Sequence, residues 1–132
     1  MSSLNHSGFS GYVLRARLNP GPPRTDGSMA VVFDGNMRVL LHPAARGDVV
    51  LEAQLRALPS SAHQADSMLM DAMVVAGHRD PDCAEYLVLA PEQDRLMLQQ
   101  RVNADASADE FERALTHFLN ALTGWRAHFG VL

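Results

Sequence analysis

The sequence predicts an α+β domain with the order α-β-β-β-α-β-β-α: an antiparallel, twisted sheet with helices packed on it. Three observations predict it. Residues 29–57 alternate apolar and polar in three runs separated by turn signals. A second pair of alternating runs flanks Pro91-Glu92-Gln93-Asp94. Residues 107–129 begin with capping-box spacing and continue with apolar residues at alternating steps of four and three. A length of 132 residues is that of one domain, and a composition 47% hydrophobic and 20% charged is globular rather than disordered.

Within that domain, 1–28 reads as a short, weak helix and a Pro-rich loop. Phe9, Tyr12, Val13 and Ala16 share a helical stripe over 7–18, while Gly8 and Gly11 weaken it. Asn19-Pro20-Gly21-Pro22-Pro23 stops any helix. A three-stranded meander occupies 29–58. Met29, Val31 and Phe33 form one alternating set, and Asp34-Gly35-Asn36 is a tight turn. Met37, Val39 and Leu41 follow, then a turn over 43–48, then Val49, Leu51, Ala53 and Leu55. Pro59-Ser60-Ser61 ends the third strand and caps a middle helix over 62–76, with Gly77 as its C-terminal cap. His78 to Asp82 is a loop. The hairpin spans 84–103, with Tyr86, Val88 and Ala90 alternating on its first strand. The last helix, 107–129, sets Phe111, Leu115, Phe118, Leu122, Trp125 and Phe129 on one side, with Asp109 and Arg113 as an i,i+4 pair.

Several chemistries are not indicated. A net charge of −4 does not suit nucleic-acid binding, which needs clustered cations. The lone Cys83 permits no intrachain disulfide and fits a reducing compartment. No apolar run approaches a membrane span, and the N-terminus has no basic segment followed by an apolar core, so the expected location is cytoplasmic. His78 and Cys83 lack further ligands at metal spacing, and Gly8-Phe9-Ser10-Gly11 lacks the Gly-x-Ser-x-Gly pattern of a nucleophile elbow. His63, His117 and His128 read as exposed. No cofactor and no metal are expected.

Apolar surface is in excess. Seven methionines include Met29, Met68, Met70 and Met73 on the first strand and middle helix. Met29 and Met73 read as core filling. Ala65, Met68, Leu69, Ala72, Met73 and Ala76 make one stripe of the middle helix, and Met70 and Val74 lie off it. A helix apolar on two sides predicts a homodimer through the middle helix.

Three stretches resemble the class I (Tir-chaperone-like) chaperones of type III secretion systems. They are Met29-Ala30-Val31-Val32-Phe33-Asp34-Gly35, the hairpin Tyr86 to Arg101 with its Leu-x-Leu-Gln-x-Arg run, and Ser107 to Phe129. The short, Gly-interrupted N-terminus departs from the longer Leu-rich helix of that family. The resemblance implies a homodimeric bacterial protein without enzymatic activity. It would bind the N-terminal, non-globular chaperone-binding segment of one or more secreted effector proteins and bring them to the export apparatus, with the export ATPase as a further partner. Neither nucleic acid nor membrane would be a partner. It implies dimer contacts at Leu69, Met70, Ala72, Met73, Val74, Ala76, Tyr86 and Val88. It implies effector contacts at Phe9, Tyr12, Val13, Val31, Phe33, Val39 and Leu41. An alternative on the same fold is a dimeric regulatory adaptor of the secretion system that binds a folded protein. An enzyme would require a closed pocket lined by His42 or His78 beside a perturbed acid.

Overall fold

A computed structural model describes residues 6–18, 20, 22, 24–33, 35, 37–78 and 84–130. Parts of the Asn19–Pro23 loop, Asp34 and Asn36 of the first turn, residues 79–82 of the loop after the middle helix, and Cys83 lie outside the described residues. The elements are α1 (Ser7–Ala16), β1 (Met29–Phe33), β2 (Met37–Pro43), β3 (Val49–Ala57), α2 (Ala62–Gly77), β4 (Glu85–Leu89), β5 (Arg95–Val102) and α3 (Ala108–Phe129). A single 3-10 turn, Ala45–Gly47, joins β2 to β3. All strand pairings are antiparallel, in the order β1-β2-β3-β5-β4, so the late hairpin joins the meander through β5 and leaves β1 and β4 at the edges.

Alternation along each strand divides the sheet into two faces. Val31, Val39, Leu41, Val49, Leu51, Leu98 and Val102 point to the buried face. α3 lies against β3 and β5 on that side, and α1 lies on α3. All six residues of the predicted α3 stripe are buried there, joined by Ala121. The Ser107 hydroxyl accepts from the Glu110 N–H, and the Glu110 carboxylate accepts from the Ser107 N–H, completing the capping box. That bond to the Ser107 backbone, with its hydroxyl partner, holds the Glu110 carboxyl below its ordinary value.

α1 ends two residues before the predicted 18, where Arg17 turns left-handed. Its glycines have a packing reason. A Cβ at Gly8 would lie 2.4 Å from the Ala106 carbonyl oxygen and 2.9 Å from that of Ser107, so only glycine lets the helix sit this close. His6 fastens the same corner. Its Nδ1 accepts from the Phe9 N–H at 3.0 Å and its Nε2–H donates to the Asn103 carbonyl at 2.5 Å. A helix cap made by a buried histidine was not foreseen in the sequence, where Ser, Thr, Asp and Asn are the usual signals.

Two further expectations are corrected. Gly77 closes the helix itself, and His78, in right-handed conformation, is the C-terminal cap of α2. Asp109 pairs with Arg15 of α1 instead of Arg113, and Arg15 also reaches Glu112 at 3.0 Å. His117 and His128 are exposed, as expected, and each has a carboxylate partner: His117 hydrogen-bonds the buried Glu85, and His128 reaches Asp71 of α2 at 2.8 Å.

Candidate partner-binding surfaces

The face of α2 toward the body is thin. Ala72 is its one buried residue, with Met68, Leu69 and Val75 half-buried against the core. Met70, Met73 and Val74 are 66%, 71% and 58% exposed. They recur at i, i+3 and i+4 and therefore form one stripe. Met73 is thus not core filling, because the inward turn of the helix is completed by Val75. Met29 does pack against the core. Ala76 is exposed beside that stripe. On the edge strand β4, Tyr86 is exposed and Val88 half-buried, with Leu89 also partly uncovered.

Of the residues expected to contact an effector, Phe9, Val31, Val39 and Leu41 are buried inside the protomer. Phe9 packs at a tilt against Phe111, which also meets Tyr12 and His6. Val39 has no exposed surface at all, since odd-numbered positions of β1 and β2 lie under the helices. These four build the core and offer no surface to a partner. Tyr12, Val13 and Phe33 are half-buried at its margin. Burial and the nearby Glu112 carboxylate push the Tyr12 phenol above its usual value. The uncovered apolar residues in these stretches are Leu14, 80% exposed, and Val32, 54% exposed. Alternation signalled two faces in the sequence but could not say which one a helix would cover.

The other face of the sheet mixes polar groups with apolar residues such as Val32 and Leu40. Glu52 accepts from Gln99 and pairs with His42 at 3.1 Å. The bond to Glu52 raises the His42 imidazole above 6.5, and the same bond lowers the Glu52 carboxyl. Each group accounts for the other's shift, as in an ordinary ion pair. This acid–histidine pair therefore stands on an open sheet, not in a closed pocket. Among the described residues no three His, Cys, Asp or Glu side chains gather as a metal site. No described helix is long and apolar enough to cross a membrane.

The described residues form an open antiparallel sheet with three α-helices and uncovered apolar side chains, a fold shared with solved type III secretion chaperones. The chain belongs to the Tir chaperone protein (CesT) family, which it matches over residues 14–126. Its fold is similar to that of the Yersinia pestis type III secretion chaperone SycH in complex with a stable fragment of YscM2, at 17% identity and a TM-score of 0.64, covering 90% of this chain and 97% of that one. It is similar to the HopA1–SchA chaperone–effector complex at 17% identity and a TM-score of 0.64, covering 89% and 88%. The ExsC–ExsE complex matches at 16% identity and a TM-score of 0.60, covering 91% and 89%. No curated protein matches the chain by sequence.

Proposed function

We propose that this protein is a cytoplasmic, homodimeric type III secretion chaperone without enzymatic activity. It binds the N-terminal, non-globular segment of one or more effectors, keeps them soluble and secretion-competent, and delivers them to the export apparatus and its ATPase. The observation that carries the reading is the uncovered apolar surface in two separate parts of a small, otherwise well-packed protomer. The first part, Met70, Met73 and Val74 with Leu69, Ala76, Tyr86 and Val88, serves a second copy of the chain. The second, Leu14 and Val32 with the half-buried Tyr12, Val13 and Phe33, serves the effector. Fully burying a side chain of this size contributes about 1.5–3 kcal/mol, and a twofold dimer uses each contact twice. A floppy segment must offset its own ordering entropy, and apolar contact supplies attraction without demanding one sequence. The edge strand β1 can also satisfy the backbone of an added strand.

Co-expression with a secreted protein encoded beside the gene tests the reading. The partner should become soluble and co-purify as two chaperones to one effector. Its N-terminal segment should resist protease only when bound. Leu14→Asp with Val32→Asp should abolish the complex while leaving the protomer folded by circular dichroism. A complex that survives this change, or a partner that is already folded and protease-resistant when free, defeats the proposal.

A further inference from the structure

The β2–β3 ladder ends early. Pairing runs from Pro43↔Val49 to Leu40↔Glu52 and stops there, although β2 starts at Met37 and β3 continues to Ala57. β3 stays paired with β5 to Ala57, with a register shift at Gln54/Arg56 just past the point where β2 and β3 part. The parting leaves a notch of about 370 Å³ lined by Arg24, Arg38, Arg95 and Arg126, with Leu40 and Met97 among its apolar lining. Four arginines thus line one place in a chain whose net charge is −4 and whose eleven Lys and Arg residues are all arginine.

Two of the four have internal work. Arg126 donates to the Gln54 carbonyl at 2.9 and 3.3 Å, and Arg95 pairs with Asp94 at 2.9 Å and with Glu92 at 3.4 Å. Arg24 and Arg38 are exposed and have no ion pair or side-chain hydrogen bond among the described residues. The one carboxylate in the notch, Glu52, already accepts from His42 and Gln99. Asp26 feels the Arg24 charge but lies outside the lining and accepts from Ser28, so four arginines against Glu52 leave the notch a positive surplus. Guanidinium groups favour planar carboxylates, which they hold by paired hydrogen bonds.

We propose that this notch is the docking point for an acidic, extended segment of the client, with its carboxylates on Arg24 and Arg38. The inference rests on the chaperone reading and adds to it a charge preference that apolar grooves cannot provide. Strand periodicity fits the lining. Arg38 and Leu40, and likewise Arg95 and Met97, share one face of their strands, so an extended segment alternating acidic and apolar residues would turn its carboxylates, all on one side, toward the notch.

The test uses the full chain and two fluorescein-labelled eight-residue peptides, one alternating Asp and Val, the other Asn and Val. The native protein should prefer the acidic peptide by at least about tenfold near 50 mM salt, with the preference fading as ionic strength rises. Arg24→Glu with Arg38→Glu should remove the preference, and because both side chains are exposed the variant should melt as the native protein does. An equal affinity for the two peptides overturns the inference, as does a preference that persists in the variant. Saturable binding of inorganic phosphate, with no binding of the acidic peptide, would make the notch a small-anion site and also overturn it. Failure of the underlying reading looks different, because the native protein then forms no complex with any client on co-expression.

Discussion

Helices α2 and α3 are both rich in apolar residues and place them differently. α3 concentrates them in one stripe and buries seven residues against the sheet and α1, leaving its other side charged. α2 spreads them around its circumference, buries only Ala72, and leaves Met70, Met73 and Val74 in solvent. The number of apolar residues in a helix does not tell what the helix holds together; their angular spread does. One stripe completes a protomer, and two stripes serve an assembly of protomers.

The largest effect should come from the α3 side. Phe118→Ala removes a ring with no exposed surface and should cost about 3–5 kcal/mol in urea unfolding. Met73→Ala should change the stability of the dilute protomer by no more than about 0.5 kcal/mol, because the side chain already meets water. Equal costs at the two positions would break the contrast. The proposed dimer should respond in the opposite sense. Met70→Glu with Met73→Glu should raise its dissociation constant at least about 100-fold in sedimentation equilibrium, close to 3 kcal/mol, with the circular dichroism of the protomer retained. A pair of substitutions that leaves association unchanged would mean that this stripe is not the interface.

Glycines sharpen the same contrast. Gly8→Ala drives a methyl into the Ala106 and Ser107 carbonyls at the start of α3, and both are backbone atoms that yield poorly. It should cost about 1–3 kcal/mol by thermal or urea unfolding. Gly77→Ala meets nothing within 4 Å at the end of α2 and needs no left-handed backbone. It should be neutral or add up to about 1 kcal/mol by its helix propensity.

The legible parts of the sequence were those in which one local rule decides. Phe111, Leu115, Phe118, Leu122, Trp125 and Phe129 recur with helical spacing, and Ser107 and Glu110 spell their own cap, so α3 could be read almost to the residue. The five strands were legible for the same reason, through alternation and turn residues. Tertiary choices were not. Val39 and Leu40 are equally apolar, and only the position of α3 makes the first core and the second part of the open face. Gly8 read as a helix weakness because its close neighbour, Ala106, is distant in the chain. Arg24, Arg38, Arg95 and Arg126 are scattered through the sequence and meet only because β2 and β3 part.

The smallest difference lies at the two helix starts. Both use a serine. Ser61 accepts from the Gln64 N–H at 3.4 Å, a long bond with no return contact described, whereas Ser107 accepts at 3.1 Å within a reciprocal box that Glu110 completes. Ser107→Ala should cost about 1 kcal/mol and Ser61→Ala about half of that, measured as shifts in urea midpoint at neutral pH. Acid should then separate them further. The Glu110 carboxyl is held below its ordinary 4.5, so its contribution is fully present above that value and is lost as pH falls through the lower folded value. Protonation weakens the acceptor for the Ser107 N–H and removes the negative charge favoured near a helix N-terminus. Part of the penalty of Ser107→Ala should therefore disappear once acid takes the pH below the folded value of Glu110, while that of Ser61→Ala, with no acidic residue in the first turn of α2, should stay constant. Identical pH profiles for the two variants would show that the reciprocal contact contributes nothing and that the two caps differ only in bond length.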